Sequence, residues 1–345
     1  PHLIALPSNT RMHSSSTQNM QVSDHRLCVA PMLDWTDRHC RYFLRLIAPR
    51  VRLYTEMVTT GALRFGNVER HLAFDPAEHP VALQLGGSEP EDLAYCAALA
   101  TRWGYDEINL NVGCPSERVQ RGAFGACLMA EPQLVADCVR AMRDQTHLPV
   151  TVKHRIGIND ITQYAFVRDF VGLVANAGCT VFIVHARNAV LQGLSPKQNR
   201  EIPPLNYGFV YQLKQEFPQL TIVINGGIDA WPVIETQYQH VDGVMIGRAA
   251  YHDPWLLAQA STRVFADDGP CPSRESVALA MHAYCVRHVA AGGLVRHISR
   301  HLLGLFHGAP HARTWRRRLS DASQLATNSP DLILRALEAV TPRAA

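Results

Sequence analysis

The chain has 345 residues, of which 47% are hydrophobic and 18% charged, and its formal net charge is +3. That composition supplies a large core and excludes disorder as the main state; the length allows one large domain or two unequal ones. No apolar run approaches the roughly 20 residues of a membrane helix, and none of the nine cysteines sits in a Cys-x-x-Cys pair, so a soluble protein of a reducing cytoplasm is expected, without a disulfide scaffold or zinc site.

Residues 1–24 are rich in Ser, Thr, Asn and Gln and lack an apolar period, so they are expected to be a poorly ordered tail rather than a signal peptide. A regular rhythm follows. Short apolar or β-branched runs occupy 26–31, 53–57, 81–85, 107–112, 150–156, 181–185, 221–225 and 243–247, and helix-like segments separate them. Segments 90–103 and 132–143 have helical spacing, and each opens on Pro. Strands alternating with helices imply a parallel sheet, and eight such units imply an α/β fold of the (β/α)₈ (TIM) barrel type over residues 25–262. A doubly wound sheet would be expected to carry a Gly-x-Gly-x-x-Gly turn after its first strand, and CVAPMLDW has none. The rhythm stops near 266–272, and helix-like segments at 273–291, 295–306 and 331–340 imply a small C-terminal α-helical domain over 273–341.

Charge is distributed unevenly. Residues 259–345 hold 11 Arg, no Lys and 6 acids, and residues 281–318 hold seven Arg, six His and no acid. Nothing within that stretch neutralises its field, which points to a polyanionic partner. His297 and His301 are four apart on a helix but lack a third ligand, and they are expected to be surface residues rather than a metal site.

In a barrel of this kind, chemistry sits at the C-terminal ends of the strands. Those ends hold Pro31, Met32, Glu56, Gln84, Asn109, Asn111, Cys114, Lys153, His154, Arg155, His185 and Arg187. The last two runs end in Asn225-Gly226-Gly227 and Gly247-Arg248, where glycine backbone and a forked cation suit a phosphate. Lys153 could form a Schiff base or stand as a cation opposite a delocalised anion. Cys114 lies between Gly and Pro on a turn beyond the fourth run, and the other eight cysteines read as small buried hydrophobes. With a reference pKa near ~8.5, a thiol there is suited to donating a proton; a nucleophilic role would need a nearby base.

The stretch NLNVGCPSERVQRGAFGACLM at 109–129 resembles the tRNA-dihydrouridine synthases, as do VAPMLDWTDRHCR, VKHRIG, IVHAR, INGGI and MIGRAAY, in order along the chain. The resemblance runs from about Arg26 to Ser320. Phe124 stands where the common pattern has a second Gly, and with HLLGLFHGAPHARTWRRRLS at 301–320 it is similar to the A-type enzymes, which modify uridines 20 and 20a of the tRNA D-loop. The resemblance implies FMN on the barrel mouth and NADPH as reductant. Pro31, Met32 and Leu33 would line the flavin, Gln84, Lys153 and His185 would contact its ring or ribityl chain, and Asn225, Gly226, Gly227, Gly247 and Arg248 would hold its phosphate. Lys153 would then stabilise a flavin anion. Cys114 would be the general acid, Asn111 would contact the uridine with Arg187 nearby, and Lys197, Arg200, Arg313 and Arg316 would contact tRNA. The implied partner is tRNA, bound by a cytoplasmic, monomeric enzyme without a metal.

Overall fold

The computed structural model describes residues 24–341 apart from 117, 118, 120, 121 and 268, so all but the last residue of the expected 1–24 tail and part of the 109–129 stretch lie outside the described residues. Among the described residues there are nine strands, with helices between all but the second and third: β1 (Leu27–Val29), β2 (Leu53–Tyr54), β3 (Val58–Thr59), β4 (Val81–Gly86), β5 (Glu107–Val112), β6 (Val150–Arg155), β7 (Val181–His185), β8 (Thr221–Asn225) and β9 (Gly243–Ile246). All pair in parallel, in the order β1-β9-β8-β7-β6-β5-β4-β2, with β3 also on β4. The ring closes where the amide of Val29 donates to Arg52 O (2.9 Å) and the amide of Arg52 donates to Leu27 O (3.0 Å). The chain therefore forms the expected eight-position barrel.

One position differs from expectation. Residues 53–57 do not run as one strand, because Thr55 Oγ1 accepts from the Gln84 amide (3.0 Å) and donates to Glu56 O (2.7 Å), so a side chain interrupts the ladder between β2 and β3.

Alternation along the strands sorts the core. Phe182, Val184, Ile222 and Ile224 face outward under the helices, whereas Tyr54, Ala82, Val181, Ile183, Val223 and Met245 fill the barrel with Cys28 and Ala30. Helices Pro90–Trp103 and Pro132–Arg143 begin at Pro, where no amide is needed, and the first ends on Gly104 in the left-handed region (φ 81°). No helix among the described residues is long and apolar enough to cross a membrane.

Beyond the barrel lie the helices Arg274–Ala290, Val295–Ser299, Ala312–Leu319, Ala322–Ala326 and Leu332–Glu338. The expected single helix over 295–306 stops at Ser299 and resumes as a tighter turn at Leu302–Gly304, because Gly304 passes so close to the barrel that a Cβ would sit 2.6 Å from His252 O. Helix Ala312–Leu319 was not anticipated; it buries Trp315, whose Nε1 donates to Leu302 O at 2.7 Å. The region covers helix Arg38–Ile47 through a stack of Tyr42 on Tyr284 (4.1 Å between rings) and meets the segment after β9 where His301 packs on Tyr251 (5.8 Å), which in turn stacks on Trp35 (4.5 Å). His301 is not a surface residue: it is buried, with Nε2 3.0 Å from Asp37 Oδ1, beside the ion pair that Asp37 makes with Arg300 at 2.6 Å.

Candidate active site

The inward faces of β4, β5 and β6 carry one continuous row of polar side chains. Asn111 Nδ2 donates to Gln84 Oε1 (2.9 Å), and Gln84 Nε2 donates to Asn109 Oδ1 (2.8 Å). Asn109 Nδ2 donates to Thr151 Oγ1 (2.8 Å), and Thr151 donates to Glu107 Oε1 (2.6 Å). Glu107 closes the row at the base, where Tyr54 donates to it (3.0 Å), His25 Nε2 lies at 2.7 Å and Arg52 at 3.3 Å. Burial alone would raise the Glu107 pKa, but His25, Arg52 and the Thr151 hydroxyl hold it down at about 2. None of these base partners was singled out in the sequence. The signal was there: Glu107, Asn109 and Asn111 alternate with Ile108, Leu110 and Val112, which is the pattern of one polar face on a strand.

At the top of the row, Asn111 shapes the turn that carries Cys114. Its Oδ1 accepts from the amides of Gly113 (3.1 Å) and Cys114 (3.0 Å). From the other side Arg155 Nε donates to Gly113 O (3.0 Å), while its Nη1 reaches Asn188 O (3.1 Å) and Asn199 O (2.9 Å). The turn is thus held by an amide below and a guanidinium beside it. Cys114 is partly exposed, its sulfur 3.6 Å from Ser116 Oγ, with Lys153, Arg155 and Arg200 in its neighbourhood.

Lys153 projects inward from β6 and donates from Nζ to Asn225 Oδ1 (3.1 Å) on β8. Burial and the neighbouring Arg155 push its pKa down to about 7. Burial, with Arg155 and Lys153 close by, also drives His185 well below its usual range, so its imidazole is neutral. Asn225 Nδ2 donates to Met245 O (2.8 Å), which ties β8 to β9. Next to it Gly226 (φ 114°) and Gly227 (φ 69°) are in the left-handed region; a Cβ would come within 2.8 Å of His185 on the first and 2.5 Å of Leu205 on the second. Only glycine fits this approach.

Arg248, just past Gly247, is ion-paired with Glu201 at 2.5 Å. Glu201 escaped the sequence analysis, as did Asn199, which is fully buried and folds its loop by bonding both the amide (2.7 Å) and the carbonyl (2.9 Å) of Val190. Arg187 donates to Pro203 O in the same loop, and its buried Nε has no hydrogen-bond partner. Lys197 and Arg200 stand exposed there. On the opposite rim Pro31 is half-buried, Met32 packs against the barrel interior and Leu33 is 64% exposed. Gln84 lies beneath the mouth, 1% exposed, with both ends of its amide engaged. Arg313 and Arg316 stand exposed on helix Ala312–Leu319, outside the barrel.

Two expectations are corrected here. His154 does not belong to the mouth: it points outward from β6 between Phe170 (5.1 Å) and Phe182 (5.8 Å), because alternation turns it away from Lys153. Nor are all the other cysteines buried hydrophobes. Cys271 is exposed in the segment leaving the barrel, and Cys127 is half-buried.

Comparison with known proteins gives this geometry a family. The sequence profile described as dihydrouridine synthase (Dus) matches residues 28–341. A tRNA-dihydrouridine(20/20a) synthase of Salmonella typhimurium is 54% identical over 95% of this chain and 98% of its own, and one of Escherichia coli is 53% identical over 98% and 96%. One of Vibrio parahaemolyticus is 58% identical over 86% of this chain and 91% of its own. Among solved structures morphinone reductase shares the fold, with a TM-score of 0.50 at 14% identity over 73% of this chain and 88% of that one. The chain is therefore an enzyme of the dihydrouridine synthase family.

Proposed function

We propose that the protein reduces uridine to 5,6-dihydrouridine in the D-loop of tRNA, at positions 20 and 20a, with FMN held in the barrel mouth and NADPH as reductant. The positions follow the relatives, whose names carry them. The donor set suits FMN. Lys153, Arg155, Arg187, Arg200 and Arg248 gather at the mouth, and among the described residues Glu201 is the carboxylate ion-paired with this group. A buried cation with no acid beside it calls for an anionic ligand, and the two left-handed glycines leave backbone free to meet one. Asn225, Gly226, Gly227, Gly247 and Arg248 would hold the phosphate. Pro31, Met32 and Leu33 would line the ring, over a floor of Gln84, with Lys153 and His185 against the ring or ribityl chain. FMN bound there supplies the hydride that goes to C6 of the uracil.

The chain's own residues do the rest. Cys114 delivers the proton to C5, and Lys153, Arg155 and Arg200 offset the thiolate left behind. Asn111 holds the Cys114 turn and meets the uridine, with Arg187 nearby. A base stacked in folded tRNA must be everted, at a cost of a few kcal/mol. Phosphate contacts from Lys197, Arg200, Arg313 and Arg316 offset that cost, with residues 25–262 acting as the catalytic domain and 273–341 as the tRNA-binding domain.

The observation that carries this reading is the doubly held turn that sets Cys114 beside an uncompensated Lys153. Its test is Cys114→Ala assayed on unmodified tRNA by mass spectrometry. Dihydrouridine should fall by roughly 100-fold or more while flavin content and NADPH oxidation persist. Undiminished dihydrouridine would remove Cys114 from the reaction.

A further inference from the structure

Three imidazoles converge where the C-terminal helices cover the barrel. His39 lies on helix Arg38–Ile47, His288 in the last turn of Arg274–Ala290, and His297 on Val295–Ser299. One ring nitrogen from each lies within 4.8 Å of the other two. His288 Nε2 and His297 Nδ1 are 3.3 Å apart. That is close to the edge of a tetrahedron whose centre is ~2.05 Å from each nitrogen, the usual zinc–imidazole distance. His39 Nδ1 is engaged by the Tyr284 hydroxyl at 2.8 Å. An outer partner of this kind fixes ring and tautomer and leaves Nε2 for an ion. Burial is graded, from His39 (7% exposed) through half-buried His288 to exposed His297, so the site has an entry path.

Asp37, Arg38, Arg296, Arg300 and His301 lie near the cluster, with the Tyr284 hydroxyl on His39. Three imidazole nitrogens suit a borderline transition metal rather than a hard, oxygen-seeking cation.

We propose that His39, His288 and His297 bind one divalent transition-metal ion of the zinc class, through three nitrogens with one position open, and that the ion ties the C-terminal helices to the first helix of the barrel. This departs from the absence of a metal expected from sequence, where His297 was paired with His301 by spacing. The partners that meet His297 lie elsewhere, one of them on the first barrel helix.

The site is tested on the full-length protein, stripped with a chelator and titrated with Co²⁺. The expected result is one equivalent bound, with the visible bands of a four-coordinate nitrogen site and no thiolate charge-transfer band, displaced by Zn²⁺. The ion should raise the melting temperature, and both effects should be lost in His288→Gln. His288 is only half-buried, so that variant should fold, which its melting curve without metal checks. Binding should fade as pH falls and protons compete for the imidazoles. Substoichiometric binding, a thiolate band, or undiminished binding in His288→Gln would overturn the proposal.

Discussion

At the base of the barrel Glu107 is enclosed by His25, Arg52, Tyr54 and Thr151; at the mouth Lys153 is half-buried beside Arg155 with an amide oxygen as its hydrogen-bond acceptor. Both are charged groups inside one barrel, yet the fold completes the first and leaves the second incomplete. A carboxylate saturated by its own protein has nothing left for a ligand, so the base serves stability. Cations without acids keep their attraction in reserve, and the mouth is where a ligand can supply what is missing.

The sharpest way to break this contrast is at the base. Glu107→Ala strands two basic side chains and should cost ~3–5 kcal/mol in a denaturant titration; a variant as stable as its parent would show that the base is not a closed ion cluster. The acid limb adds a sign. Because the Glu107 pKa is lowered from 4.5 to about 2, its contribution is whole above about 4.5 and disappears as pH falls toward 2. Glu107→Gln should lack that loss.

Lys153→Met should do the opposite at the mouth. Flavin affinity should drop by roughly 10- to 100-fold, as for loss of a charge-assisted contact, with no loss of stability in the flavin-free protein. The Lys153 pKa is lowered from 10.5 to about 7, so its charge destabilises the flavin-free fold below about 7 and that penalty fades as pH rises toward 10.5. The Met variant should not show the rise. Equal flavin affinity would sink the reading of the mouth.

Thr151→Val tests whether base and mouth communicate. It removes the hydroxyl between Asn109 and Glu107 at nearly constant volume, and an unpaired buried amide costs ~1–3 kcal/mol. Stability should fall by about that amount and turnover should fall with it, with flavin content retained and rescue by Thr151→Ser; a Val variant with parental turnover would confine the hydroxyl to structure. The smallest effect is expected outside the barrel. Arg313→Ala combined with Arg316→Ala should leave flavin content unchanged and make the salt dependence of tRNA binding shallower by about one unit per lost phosphate contact.

The barrel was legible because each strand–helix unit repeats a local pattern, and the strand ends marked the mouth because topology alone puts them there. Lys153 and Asn225 could both be named, though only the closed ring brings β6 and β8 near enough for their contact. The Glu107 cluster was hidden for the same reason, since His25, Tyr54 and Thr151 come from separate places in the chain and meet across its axis. Helix Ala312–Leu319 was obscured by its arginines, although Trp315 and Leu319, four apart and both buried, carried its signal. The His39, His288 and His297 cluster has no local pattern, because it forms only when the C-terminal helices close on the barrel.

The row from Asn111 to Glu107 runs in a single sense. A carboxylate that can only accept terminates it at one end, and two peptide amides that can only donate terminate it at the other. Every amide between them is thereby oriented, and none can flip alone without setting like groups face to face. Hydrolysis of Asn111 to aspartate would change no shape and hardly any volume, yet it would oppose oxygen to the Gln84 oxygen under the turn that carries the thiol. This barrel therefore has a lesion of chemical ageing to which its interior is intolerant, and it lies one hydrogen bond below Cys114.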